Sequence, residues 1–173
     1  RLEVRDAVAY LRIATSPDDS LAFERIINTP KRGLGERTLQ ELNKKSREQN
    51  LPLLKSARLA INDGTVTGKG KYELTNLIDH IDVWKKIIRD EEKPPYEIAG
   101  SILDEAGYTE MWKNDNSPTA PGRLENLKEL IQAIKDFENI PGFLEHISLM
   151  MENERQDGIE KLKIMTLHAA KGL

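Results

Sequence analysis

The chain has 173 residues, 38% of them apolar and 32% charged, with a formal net charge of −3; this supports one domain with a sizeable core and a well-solvated, helix-rich surface. The absence of cysteine excludes disulfides, thiolate-bound zinc and thiol catalysis, and suggests a reducing, cytoplasmic setting. No apolar run reaches the roughly 20 residues needed to cross a bilayer, and the acidic balance leaves room only for local contact with nucleic acid.

The first segment, "RLEVRDAVAY", is charged and amphipathic, unlike a signal peptide. Val4, Ala7, Val8 and Leu11 fall on one helical face. "SPDD" restarts a helix, with Ser16 expected as cap and Asp18 and Asp19 in the dipole-favoured first turn. That helix carries Leu21, Ala22, Phe23, Ile26 and Ile27 and ends at Thr29-Pro30. A polar helix is expected over about residues 36–50, with Leu39 and Leu42 as its apolar contacts, and a short one from Pro52 to about residue 61. "NDGTVTGKGK" reads as a flexible basic loop; a phosphate loop would need Ser or Thr where Gly70 stands. Leu74, Leu77, Ile78, Ile81, Trp84 and Ile88 mark the clearest helix, about 72–89. Another ends at Gly107, a natural C-cap position, and "NDNSPTAPG" is a surface loop. Leu127, Leu130, Ile131 and Ile134 define the next helix, and Pro141 starts one carrying Phe143, Leu144, Ile147 and Met151. "ENERQDGIEK" reads as an exposed linker. Only "KLKIMTL" changes to a period of two, as in a strand.

The stretch most suited to binding is "TPKRGLGERT", residues 29–38. Gly33 and Gly35 can take positive φ and leave space for a ligand. Leu34 can anchor the turn, and the amides entering the following helix offer an anion site. Residues 24–47 hold seven basic side chains against three acidic ones, reversing the overall charge locally. Backbone amides among lysines and arginines are how an acidic protein grips a phosphate backbone. A plain tight turn between helices is the bland alternative. His80, His146, Trp84 and Trp112 read as structural or surface residues, and Asp18 with Asp19 as helix capping rather than a metal pair. No nucleophile–base pair emerges from the spacing.

"RLEVRDAVAYLR", "DDSLAFERIINTPKRGLGERTL" and "KIMTLHAAKGL", in this order, resemble successive signatures of the UvrD/PcrA/Rep superfamily 1 DNA helicases. "GRLENLKEL" extends the likeness over nearly the whole chain. The usual Gly-Ile-Gly-x-x-Thr motif is Gly33-Leu34-Gly35-Glu36-Arg37-Thr38 here, a mild departure. The resemblance implies a mainly α-helical piece of a larger protein, with helix-turn-helix units and a short strand near the C-terminus. Residues 1–17 and 161–173 would belong to the second RecA-like motor domain, and 18–160 to its helical 2B insertion. In the family that insertion contacts duplex DNA in an ATP-dependent 3′→5′ helicase of repair or replication. The DNA-contact residues would be Lys31, Arg32, Gly33, Leu34, Gly35, Arg37 and Thr38. Thr166, His168, Lys171 and Gly172 match motif V, which contacts single-stranded DNA or nucleotide in the assembled motor.

ATP and magnesium would serve the parent. The piece itself is expected to need no cofactor or metal and to lack catalytic residues and ATPase activity, since the Walker motifs fall outside it. DNA and repair proteins are the implied partners, with no membrane. A protein-docking or autoinhibitory module with little DNA affinity is the alternative, and a helicase–nuclease parent is a further one.

Overall fold

Helical periodicity governs the chain. The computed structural model describes residues 1–171, and among these every regular element is an α-helix: α1 (Leu2–Thr15), α2 (Ser20–Ile26), α3 (Glu36–Gln49), α4 (Leu53–Asn62), α5 (Gly68–Asp90), α6 (Pro95–Glu105), α7 (Tyr108–Lys113), α8 (Ala120–Ile134) and α9 (Ile140–Lys171). The mainly α expectation therefore holds.

α1 is the hub. It packs against α2, α5, α6, α8 and α9, so its burial extends beyond one face to Ala7, Val8, Ala9, Tyr10, Leu11, Ile13 and Ala14. α2 to α5 form one layer of neighbours and α6 to α8 another, joined where α5 meets α6. Tyr10 of α1 lies between Trp84 of α5 and Tyr108 of α7, with ring centroids 6.1 and 5.8 Å away. No break in packing separates residues 1–17 from those that follow.

Local chemistry sets most boundaries. Asp19, not Ser16, caps α2: its carboxylate accepts from the Ala22 amide at 3.0 Å. Gly107, at φ +77°, turns the chain from α6 into α7. That short helix is missing from the sequence reading because six residues are too few to show a period. α5 begins at Gly68, inside the expected basic loop, and α8 begins at Ala120, inside the expected surface loop.

The largest correction concerns the C-terminal segment. The expected linker at 152–161 and the expected strand at 161–167 both continue α9. Glu, Arg, Gln and Lys in the linker are good helix formers. A strand also needs a neighbour to satisfy its backbone, whereas a helix satisfies it internally; no strand lies beside this segment among the described residues. Leu162, Ile164, Met165 and Leu167 are exposed on this helix. No described helix is long and apolar enough to cross a membrane.

Candidate nucleic-acid interface

The chain leaves α2 at Ile26, makes a tight turn through residues 28–35 and enters α3. Gly33 takes φ +73°, where a side chain would be strained. Gly35 does not: as N-cap of α3 it is extended, at φ −80° and ψ 167°, which corrects the expectation of positive φ at both glycines. A Cβ placed on Gly35 would meet nothing within 4 Å. Having no side chain, Gly35 makes no side-chain cap hydrogen bond to the opening amides of α3. These are the orphan donors of a helix start, and they carry the positive end of its dipole.

Leu34 is only 4% exposed and anchors the turn in the core, as expected. Asn28 fastens the turn from inside: its Nδ2 donates to the Leu34 carbonyl at 2.9 Å, and its Oδ1 accepts from the Arg32 amide at 2.7 Å. Lys31, Gly33, Gly35 and Arg37 are exposed and Thr38 is half-buried. The turn thus presents amides and flanking cations on one side and closes itself with Leu34 and Asn28 on the other.

Arg32 stands apart from the expected contact set. It is 8% exposed. Its guanidinium donates to the Ile26 and Ile27 carbonyls at 2.6 and 3.2 Å, to the Tyr10 hydroxyl at 2.6 Å and to the Ala106 carbonyl at 3.2 Å. With these donors pointing inward, it is not placed to meet a phosphate in this structure. The local charge reversal is also smaller than counting residues indicates. Arg25 pairs with Asp6, and Lys45 with Asp63. The hydrogen bonds from Lys45 and Thr65 hold the Asp63 carboxyl at about 2, so Asp63 is a carboxylate at neutral pH. Lys31, Arg37, Lys44 and Arg47 make no ion pair among the described residues.

The second glycine–lysine stretch, read as a separate loop, is part of the same surface. A Cβ on Gly33 would lie 3.7 Å from Cδ of Lys69. Gly70 approaches so closely that its own Cβ would come 3.1 Å from Cδ2 of Leu34. α5 therefore starts beside the start of α3, and its N-cap, Thr67, likewise makes no side-chain cap hydrogen bond. Lys69 is exposed and is the residue the sequence reading missed. The available signal was the repeated pattern of two glycines around one residue at a helix start, Gly33-Leu34-Gly35 and Gly68-Lys69-Gly70.

Of the residues assigned to motif V, Thr166 and His168 do not join this surface. Thr166 and His168 are exposed on α9, where Thr166 Oγ1 donates to the Leu162 carbonyl and His168 Nδ1 lies 2.9 Å from the Ile164 carbonyl. Lys171 is the last residue of that helix; Gly172 lies outside the described residues. No group of three metal-ligating side chains occurs among the described residues.

A profile described as the UvrD-like helicase C-terminal domain matches residues 1–173. DNA helicase II of Rickettsia typhi is 39% identical over 176 residues, an alignment covering 100% of this chain and 26% of that protein. DNA helicase II of Escherichia coli is 30% identical over 183 residues, covering 100% of this chain and 25% of the relative. ATP-dependent DNA helicase PcrA of Staphylococcus aureus is 29% identical over 182 residues, covering 100% and 24%. The chain spans about a quarter of the length of these relatives.

Proposed function

Because this chain belongs to the UvrD-like helicase C-terminal domain family, we propose that it is the duplex-contacting, regulatory 2B-type insertion of a larger ATP-dependent 3′→5′ DNA helicase of repair or replication. Residues 18–160 form the insertion on this reading, and 1–17 and 161–173 lead to the second motor domain. The larger protein would hydrolyse ATP with magnesium, in the cytoplasm. This chain's own residues do not fit that chemistry: Gly70 stands after Lys69 where a phosphate loop needs Ser or Thr, and no described carboxylate cluster suits a metal. No step of hydrolysis is therefore assigned to it.

The observation that carries the proposal is the uncapped start of α3 at Gly35, exposed between Lys31 and Arg37 with Lys69 across the turn. Amides oriented by a helix dipole hold a phosphate oxygen, and cations around them supply attraction without reading bases. Gly33, Leu34, Gly35 and Thr38 would shape and line the contact, with Lys31, Arg37 and Lys69 around it. Thr166, His168, Lys171 and Gly172 are assigned, on the same reading, to single-strand or nucleotide contacts within the larger protein.

Binding to duplex should be weak, independent of sequence and steeply dependent on salt. With two or three phosphates neutralised, the slope of log affinity against log salt should be about −2 to −3. Fluorescence anisotropy with a labelled duplex across a salt series measures it. Arg37→Ala and Lys69→Ala should each lower the slope by about one. A chain that is folded and binds no duplex would instead favour a protein-docking module, for which the exposed apolar residues of α9 would be the first surface to test.

A further inference from the structure

We propose that Arg32 and Tyr10 are positioning residues that hold the glycine turn in fixed register with α1, and that neither touches DNA. This rests on the duplex-contact reading above and deepens it. Arg32 lies within the turn, just before Gly33, yet its guanidinium joins three separate parts of the fold. It reaches the last carbonyls of α2 at Ile26 and Ile27, the carbonyl of Ala106 just after α6, and the Tyr10 hydroxyl on α1. Tyr10 then donates its own proton to the Thr29 carbonyl, at the entrance of the turn. Burial raises the Tyr10 phenol above its ordinary value, against the opposing pull of Arg32, so the hydroxyl keeps the proton that this bond requires.

The turn is therefore gripped at both ends of its inner side. The Tyr10 hydroxyl fixes Thr29, Asn28 fixes Leu34, and Arg32 ties the segment to α1, α2 and α6 together. A planar guanidinium with five donors can meet several carbonyls in one fixed geometry, which an ammonium cannot. The amides that would meet phosphate belong to the next few residues, 36–38. A small rotation of the turn would carry them out of line, because hydrogen bonds weaken steeply with misalignment. The local peptide geometry thus depends on a buried tyrosine 22 positions earlier in the chain.

The salt slope separates positioning from contact. A phosphate contact loses slope when its charge is removed; a positioning residue loses affinity at constant slope. The full chain is titrated with a fluorescein-labelled duplex of mixed sequence across a salt series, well below each variant's unfolding temperature. Tyr10→Phe is the principal variant, because Tyr10 is fully buried and its loss removes no charge. Affinity should fall about fivefold, the equivalent of one net hydrogen bond, with the slope unchanged. Arg32→Gln should lose at least as much, again with the slope unchanged. Tyr108→Phe is the control: its ring lies beside Tyr10, but its hydroxyl bonds Asp6 Oδ2 at 2.8 Å and not the turn, so duplex affinity should stay within twofold.

A Tyr10→Phe protein that binds like the parent overturns the proposal even if Arg32→Gln fails to fold. So does an Arg32→Gln slope lower by about one unit, or a Tyr108→Phe loss equal to that of Tyr10→Phe, which would mean that general loosening is enough. A parent chain that binds no duplex overturns the underlying functional reading, and this proposal with it.

Discussion

Gly33 and Gly35 look equivalent in the sequence but make opposite demands. Gly33 needs left-handed backbone, so Gly33→Ala should cost about 1 kcal/mol in chemical denaturation. Gly35 is extended, with open space where a side chain would stand, and a serine there can adopt the same backbone. Serine is a better N-cap than glycine, so Gly35→Ser should stabilise the fold by a few tenths of a kcal/mol. Its hydroxyl would take one of the amides offered to phosphate, so duplex affinity should fall in the same protein. Higher thermal stability with weaker binding is the expected pair of results; unchanged or tighter binding by a stabilised variant would remove the α3 amides from the contact. Arg32 is likewise governed by its surroundings. Its place in a basic run suggests a surface cation, but neighbouring carbonyls and Tyr10 turn it inward, and sequence spacing says nothing of where such partners will lie.

Among the elements, the short and the long helices draw stability from different sources. α2 has seven residues, too few to persist without capping and packing. Asp19→Ala should therefore cost about 1 kcal/mol, read by urea denaturation, whereas Ser16→Ala should cost little, because Ser16 makes no cap bond at the start of α2. α9 poses the reverse case. Its first turns bury Ile140, Phe143 and Leu144, while residues 152–169 are exposed throughout and rely on intrinsic helix propensity. Backbone amides in that distal half should exchange at least a hundredfold faster than those around Ile81 and Trp84 in α5, since exchange there needs only local opening. Comparable protection in a dilute monomer would show that the distal half is packed against something.

Across the whole molecule, buried charge ties distant parts of the chain to α1. Glu3 is 3% exposed; its carboxylate accepts from Asn126 at 2.6 Å and pairs with Arg123 at 3.0 Å, both on α8. Burial by itself would raise the Glu3 carboxyl, but the Asn126 hydrogen bond and the Arg123 charge outweigh it and leave the group below its ordinary value of 4.5. A carboxyl lowered in the folded state stabilises the fold fully above its unfolded value and loses that contribution as pH falls through the folded value. The link between α1 and α8 should therefore weaken below pH 4.5. Glu3→Gln should flatten the acid limb of a stability–pH curve measured by urea denaturation; an acid limb of the same steepness would place the titrating groups elsewhere.

Much of the fold was legible in the sequence because its signals are local. The periodic apolar residues of α5 fall in the core, Leu34 anchors its turn, Gly107 takes the left-handed backbone its position suggested, and α3 begins where the charged run resumes after Gly35. The ordered motifs also identified the family before any coordinates. Tertiary structure decided what depends on partners remote in the chain. It turned Arg32 inward toward Tyr10 and Ala106, brought Lys69 to the glycine turn, and made α1 the hub of the core. It also resolved the C-terminal segment as helix: an alternating pattern states only which side chains would share a face of a strand, whereas hydrogen-bonding neighbours decide whether a strand forms. Local signals sufficed for most of the helices, the turn and the family; the fold as a whole decided which cations face outward, because that choice depends on where the other helices place their carbonyls and carboxylates.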